Sequence, residues 1–263
     1  MDLTSLIGLI IGLAGLILGF VLEEGKVGML LKETAALIVF GGTIGAVTVS
    51  FSSEELKTIP YFLKVVFTNK KIEFGETIDQ LVQVADKARR EGLLSLETQL
   101  EELENEFMRR ALQLVIDGTD PELTRNMLEM EIEAFEKRQK LGVDIFNAAG
   151  GFAPTMGIIG TVMGLVQVLS NVSEPDKLGG AIAVAFIATL YGIFSANILW
   201  IPFAGKIKVK TEKEVKLMEL VLEGVLSVQA GENPRVIREK LMTFLAPAEK
   251  QAMFEAQKAG VEM

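Results

Sequence analysis

The residues of this chain that could handle an ion are hydroxyls, because the usual proton carriers are missing from its apolar stretches. Thr161 and Thr189 each lie in a long stretch without Asp, Glu, Lys or Arg, and the chain contains no Cys or His. These absences exclude thiol chemistry, disulfides, Cys/His zinc sites and His general bases. A hydroxyl in a membrane helix often bonds to a carbonyl of its own helix, whereas one that faces a shared cavity can line an ion path. The sequence leaves both interpretations open for Thr155, Thr161, Gln167, Thr189, Ser195 and Asn197.

The apolar stretches also lack the acid that an ion path usually needs. Proton relays and cation paths through a membrane generally contain Asp, Glu or His, and these stretches contain none. A proton-driven transporter working alone is therefore not expected. Either the chain is not ion-driven, or another subunit supplies the carboxylate.

Two prolines lie near the ends of these stretches, Pro154 and Pro202. Each removes a backbone donor and locally weakens its helix. Such a site can be a passive kink, or the place where motion in the membrane reaches the cytoplasm.

Four stretches free of charged residues predict four membrane-spanning helices. A helix needs roughly 20 mostly apolar residues to cross a hydrocarbon core of ~30 Å, and buried helices of soluble proteins usually keep a polar face. Met1-Asp2 has no basic residue, so we expect a retained first span and not a signal peptide. The predicted fold is all-α, a polytopic membrane protein with four transmembrane helices and a helical cytoplasmic domain. The stretches are Leu3–Leu22, Thr34–Ser53, Ile145–Ser173 and Leu178–Gly205.

The basic residues predict the topology. All Lys and Arg except Lys26, Lys32 and Lys177 lie between spans two and three or after span four. The positive-inside rule places those segments, and therefore both termini, in the cytoplasm. The net charge of −9 argues against nucleic acid as the main partner. We expect spans one and two in 1–52, a cytoplasmic helical domain in 53–144, spans three and four in 145–205, and C-terminal cytoplasmic helices in 206–263.

Helical periodicity and capping residues extend through the predicted cytoplasmic parts. Ser53 is the expected N-cap of the first helix. Acidic and basic residues alternate near Arg89, Arg90, Glu97, Glu101 and Glu102, which is typical either of a solvated helical hairpin or of a charged docking surface. The expected helices are Phe74–Glu91, Leu93–Ile116, Glu122 toward Lys140, Lys206–Ala230, and a short one from Asn233-Pro234 to about Leu245.

Small residues recur in the membrane stretches and predict close helix packing. Residues of this kind, spaced about four apart, let helix backbones approach. Their number in spans three and four suggests packing against more than one neighbour, and we expect oligomerisation beyond ordinary intrachain contacts. They include Gly8, Gly12, Gly15 and Gly19 in span one, Gly150, Gly151, Ala153, Gly157, Gly160 and Gly164 in span three, and Ala181, Ala185, Ala188, Gly192 and Ala196 in span four.

Three short motifs resemble those of the flagellar motor stator A-subunits, the MotA/PomA family. They read ARREGLLSLE at 88–97, APTMGIIGTVMGL at 153–165 and ATLYG at 188–192. The resemblance covers nearly the whole chain. ExbB and TolQ, more distant relatives, share the packing of the last two spans but usually have three spans.

The resemblance implies a subunit of the bacterial flagellar motor and not an enzyme. A MotB-like single-span subunit would supply the ion-binding Asp, and five A-subunits would surround two B-subunits in the inner membrane. Thr161 and Thr189 match positions that face the ion path, and Pro154 and Pro202 match the prolines that couple ion passage to cytoplasmic movement. Arg89 and Glu97 match charges that contact the rotor protein FliG, with Arg90 as an adjacent candidate.

The resemblance also bears on the transported ion. Sodium-type members have Thr where this chain has Ala188, so one sodium-suited oxygen is missing. We therefore expect protons, with no cofactor and no bound metal. The alternatives are a sodium-driven, PomA-type stator and an ExbB/TolQ-like energiser of outer-membrane transport.

Overall fold

The computed structural model of the chain describes residues 2–69, 72–100, 103–173, 175–251 and 253. Within these residues the regular structure is helical, which confirms the all-α fold class. The expectations for Glu101, Glu102 and residues 254–263 lie outside the described residues. The helices are α1 (Leu3–Leu22), α2 (Glu33–Ala36), α3 (Gly42–Ser50), α4 (Ser53–Leu56), α5 (Ile59–Phe67), α6 (Phe74–Glu91), α7 (Glu97–Leu100), α8 (Glu106–Ile116), α9 (Pro121–Ser170), α10 (Pro175–Ser195), α11 (Ile201–Gln229) and α12 (Pro234–Leu241).

Four helical segments in the described part of the chain are long and apolar enough to cross a membrane, as the sequence predicts. The first is α1. The second runs over Val27–Ser50 and contains a π-helical stretch, Leu37–Gly41, between α2 and α3. The third lies within α9. The fourth begins in α10 and continues through a π-helical stretch, Ala196–Trp200, into α11.

The chain forms two compact units. The first, here the membrane unit, is made by Met1–Asn69 and Arg138–Val209, and the second, here the helical unit, by Lys70–Lys137 and Lys210–Met263. The membrane unit contains the four charge-free stretches. The roles expected for residues 1–52, 53–144, 145–205 and 206–263 stay predictions.

Spans three and four pack at backbone distance. A Cβ added to Gly192 would lie 2.6 Å from the Ala153 carbonyl oxygen and 3.1 Å from the Gly157 Cα. A Cβ added to Gly164 would lie 2.7 Å from the Ala185 Cβ. Backbone atoms cannot move aside as a side chain can, so only glycine fits at position 192 without separating the two spans. The small residues therefore do bring these helices together within one chain.

Span one packs differently, although it has a similar glycine pattern. None of its residues from Leu3 to Leu22 is buried. A Cβ added to Gly12 would meet the Ile198 side chain at 3.0 Å, whereas one added to Gly8, Gly15 or Gly19 would meet nothing within 4 Å. Most of the glycine face of span one is thus open within this chain.

The helical unit has its own apolar core. Ile78 and Leu81 of α6 and Met108 of α8 are fully buried there. Glu223 of α11 accepts hydrogen bonds from Arg125 at 3.0 Å and Lys240 at 3.1 Å. The other buried apolar residues of this core are Val84, Ala85, Leu96, Leu100, Leu103, Phe107, Ala111, Leu112, Val115, Leu128, Ile132, Met218, Leu220, Val221, Leu222, Val225, Val228, Ile237, Leu241, Met242 and Leu245.

Two expectations about helix boundaries were wrong. The predicted helix Leu93–Ile116 is divided, because the described residues 103–105 are not helical and Asn105 starts a new helix by accepting a hydrogen bond from the Met108 amide at 3.1 Å. The N-cap of α4, the first helix after span two, is Ser52 and not Ser53. Ser52 forms a capping box with Glu55, and the hydrogen bond from the Ser52 amide lowers the pKa of the Glu55 carboxyl.

We predict that Gly192→Ala and Gly15→Ala change stability in opposite directions. Alanine is favoured over glycine in a helix by roughly 0.5–1 kcal/mol, so the open site at Gly15 should tolerate or gain from it. Forcing spans three and four apart at Gly192 should cost about 1–3 kcal/mol. Thermal unfolding of the purified protein in detergent measures both, and equal melting temperatures for the two variants would contradict the packing described above.

Candidate functional site

The two threonines predicted to line an ion path contact each other across spans three and four. The Thr161 and Thr189 hydroxyls form a hydrogen bond in which either oxygen can be the donor. Thr161 Oγ1 also lies 3.1 Å from the Gly157 carbonyl oxygen of its own helix and 3.0 Å from the Ala185 carbonyl oxygen of span four. Both side chains are half-buried. The result is a group of oxygens between two helices.

Three other polar residues of these spans bond back to their own helix. Thr155 Oγ1 donates to the Phe152 carbonyl at 2.7 Å, Ser195 Oγ to the Gly192 carbonyl at 3.2 Å, and Asn197 Nδ2 to the Ile193 carbonyl at 2.8 Å. They satisfy their own helices, as hydroxyls in membrane helices commonly do. The structure thus separates Thr161 and Thr189, which bridge two spans, from these three.

Ala188 lies at the packing contact between spans. Its side chain is fully buried and packs against Ala35 and Val39 of span two, and a Cβ added to Gly160 would lie 2.5 Å from the Ala188 Cβ. A hydroxyl at this position would therefore lie between helices. The absence of a hydroxyl at position 188 leaves the oxygen group at Thr161 and Thr189 intact.

Tyr191 is a site residue that the sequence reasoning missed. Its hydroxyl donates to the Leu30 carbonyl at 2.5 Å and accepts from the Lys32 amide at 3.2 Å. It thereby fixes the connection between spans one and two onto span four, two residues from Thr189. The motif ATLYG contains the residue, but a partner about 160 positions away in the chain leaves no local signal.

Pro154 and Pro202 lie at the same end of the packed pair of spans. Pro154 is inside α9, where it deprives the Gly150 carbonyl of its usual helical donor. Pro202 is the second residue of α11, and α11 follows the π-helical stretch Ala196–Trp200 directly. Gly150 and the neighbour of Pro202 are in close contact, since a Cβ added to Gly150 would lie 2.6 Å from Ile201 Cγ1. A wider helical turn of this type is one known way to accommodate a proline or to bend a helix.

The predicted rotor-facing charges lie at a sharp turn of the helical unit. Arg89 and Arg90 are in the last turn of α6, which ends at Gly92 with a φ of 88°, a conformation that favours glycine. Glu97 opens α7. All three are exposed. Among the described residues Arg90 pairs with Asp86 at 2.6 Å, whereas Arg89 and Glu97 have no ion-pair partner there.

Side chains next to these charges connect the end of α6 to the start of α7. Lys87 Nζ donates to Thr98 Oγ1 at 3.4 Å, and Leu96 is buried in the core of the helical unit. The turn therefore joins a basic helix end to an acidic helix start, and the charged side chains of both are exposed. This arrangement suits orientation-specific contacts with a partner that carries both charge signs.

Together these features define a helical membrane protein. Two of its spans pack closely and carry a pair of hydroxyls, and its four apolar stretches contain no Asp or Glu. Comparison with known proteins gives the same class. Residues 6–92 match the model of the motility protein A N-terminal region, and residues 99–220 match that of the MotA/TolQ/ExbB proton channel family.

Full-length relatives specify the class further. Motility protein A of Bacillus subtilis (strain 168) is 43% identical over 98% of this chain and 95% of its own length. Chemotaxis protein PomA of Vibrio alginolyticus is 38% identical over 93% of this chain and 96% of its own. The structure of the flagellar MotAB stator complex from Bacillus subtilis matches with a TM-score of 0.89 and 42% identity, covering 95% of this chain and 98% of that chain. The chain belongs to the motility protein A family of flagellar stator subunits.

The hydroxyl at position 189 can be tested without changing the volume of the side chain. We expect Thr189→Ser to keep swimming and Thr189→Val to abolish or strongly reduce it, because valine matches threonine in shape but has no oxygen. The measurement is swimming speed at equal membrane levels of the protein. Normal swimming with Thr189→Val would contradict a functional role for the Thr189 hydroxyl.

Proposed function

We propose that this chain, together with a MotB-like single-span subunit, couples proton flow across the bacterial inner membrane to torque on the flagellar rotor. The observation that carries the proposal is the oxygen group at Thr161 and Thr189, which lies between two spans whose charge-free stretches contain no carboxylate. Hydroxyls and carbonyls can stabilise a cation in transit, but they do not reversibly hold a proton at neutral pH. The proton-carrying Asp is therefore assigned to the partner.

The partner and the assembly follow the same logic. The similar Bacillus subtilis structure is described as a MotAB complex, which supports a MotB-like partner for this chain. The open glycine face of span one and the exposed apolar faces of span three are suited to contact with lipid or neighbouring subunits. A ring of A-subunits, five by the family resemblance, around the partner would place each Thr161–Thr189 pair near the central acid.

The energy available from protons is of the scale that a mechanical step needs. One proton moving down the membrane potential supplies ~2.3 kcal/mol per 100 mV. Shifting a two-state element from 1:99 to 99:1 takes about 5.5 kcal/mol. One or two protons per step are thus a reasonable requirement. Pro154 and Pro202, at one end of the packed spans, are the proposed hinge through which this step leaves the membrane.

The orientation that we propose puts both termini in the cytoplasm. Asp2, before α1, contacts Lys206, which follows the charge-free stretch of span four, so these two ends share one side. The excess of Lys and Arg on that side supports a cytoplasmic location. Arg89, Arg90 and Glu97 are then available to the rotor protein FliG.

Charge reversal tests the rotor contact. The double variant Arg89→Glu with Glu97→Arg should abolish or strongly weaken swimming while the protein stays in the membrane, because the partner charges would meet like charges. Arg235→Glu, an exposed residue at the start of α12, is the matched control and should swim normally. Unchanged swimming with the double reversal would rule out the rotor-contact role.

The ion can be tested by replacement. We expect swimming to persist in sodium-free medium and to resist blockers of sodium channels, since the proposed path delivers protons to a carboxylate. The chain is 38% identical to PomA, so a sodium-driven, PomA-type stator is the alternative that this test addresses. If swimming stops without sodium and returns when sodium is added, the transported ion is sodium and not the proton. The proposed role as a stator subunit would be unaffected.

A further inference from the structure

A buried carboxylate, Asp2, lies at the start of span one and has no role in the function proposed above. Its side chain is 7% exposed, and its Oδ1 accepts hydrogen bonds from Lys206 Nζ at 2.9 Å and from Thr4 Oγ1 at 2.7 Å. The Ser5 amide donates to the same oxygen at 3.2 Å, so Asp2 is also the N-cap of α1. The Asp2 amide donates to the Phe67 carbonyl at 2.7 Å. Asp2 thus joins α1, the end of α5 and α11.

The cationic partner of Asp2 lies one helical turn beyond a proposed coupling proline. Lys206 follows Pro202 by four residues, so the two positions fall on the same face of α11. Lys206 Nζ also donates to Thr4 Oγ1 at 2.8 Å and is 27% exposed. Because the Asp2 carboxylate is buried, removing the Lys206 charge beside it is costly.

The space beside Pro202 is not filled. A partly open cavity of about 270 Å³ lies between α1 and the end of span four, and Pro202, Lys206, Ser5 and Gly8 all line it. A Cβ added to Gly8 would meet nothing within 4 Å. The segment around Pro202 therefore has a preceding π-helical turn, a missing backbone donor and free volume next to it. Polar contacts between the start of α1 and this segment include those of Asp2 and Thr4 with Lys206.

We infer that Asp2 and Lys206 form a positioning ion pair that holds the Pro202 segment onto span one and sets how bending at Pro202 is passed on. The pair acts through Pro202 and touches no ion. Because Lys206 is fixed to Asp2, a bend at Pro202 must either move span one with it or break the pair. This inference rests on the proposed function for its effect on torque, but the positioning itself is a property of the chain alone.

The positioning can be measured directly because the chain has no native cysteine. Spin labels on Ile10→Cys of α1 and Val209→Cys of α11, both exposed sites, report the distance between span one and the Pro202 segment. In the purified complex the labelled chains are diluted with unlabelled chains, so that the measured distance lies within one chain. We expect Asp2→Asn and Lys206→Met each to broaden the distance distribution at least about twofold, whereas Lys213→Met, an exposed lysine of the same helix, leaves it narrow. An unchanged distribution in Asp2→Asn overturns the inference.

Torque in tethered cells, at matched membrane levels, tests the effect on the motor. Asp2→Asn and Lys206→Met should each lower it severalfold, because a bend at Pro202 would then no longer move span one with it. Asp2→Glu and Lys206→Arg, which keep the charges, should restore most of it. The double variant should be no worse than either single variant, because both remove one interaction.

The outcomes separate this inference from the proposed function. Additive losses in the double variant, or full torque in Asp2→Asn, overturn the positioning role in the motor. If the unmodified chain with its single-span partner drives no rotation, the proposed function fails, and the distance measurement still decides whether the ion pair positions the Pro202 segment.

Discussion

Backbone contact between spans three and four is the constraint on which the rest of the membrane unit depends. Gly192 faces the Ala153 carbonyl and the Gly157 Cα with no room for a Cβ. Because the two helices approach this closely, threonine side chains of modest length can meet across them. The same approach buries Ala188 and places Gly150 against Ile201. Close helix packing at glycines thus determines the positions of both the hydroxyl pair and the two prolines.

This close packing is compatible with the proposed ion passage, although the four apolar stretches contain no acid. An ionised carboxylate between closely packed apolar helices would carry a large desolvation cost. Neutral hydroxyls that satisfy each other and nearby carbonyls avoid that cost and keep the helices together. The reversible charge is better placed on a partner that moves relative to the packed pair. The one buried acid of the described chain that contacts span four is Asp2, and it is neutralised by Lys206.

Much of this architecture could be predicted from the sequence, because its signals are local. Charge-free stretches mark the spans, and Asn233 caps α12 as the Asn233-Pro234 pair suggests. The close approach of spans three and four follows from their spacing of small residues. Thr161 and Thr189 were singled out by residue type and by family resemblance, but their direct contact needed the pairing of two helices.

Features that depend on distant or competing contacts could not be predicted. Asn105 interrupts an otherwise continuous apolar periodicity, because its side chain offers the backbone an alternative cap. The partners of Tyr191 and Asp2 are far away in the chain, at Leu30 and Lys206. The burial of Ala188 against span two likewise depends on a third helix.

Proton flux into liposomes tests the division of labour between the subunits most directly. The purified chain would be reconstituted alone, with its single-span partner, and with a partner whose membrane Asp is changed to Asn, in sodium-free buffer with a pH-sensitive dye inside. The account predicts flux with the intact partner and background rates in the other two cases. Equal flux from the chain alone would contradict it, because a proton path would then exist without the partner's acid.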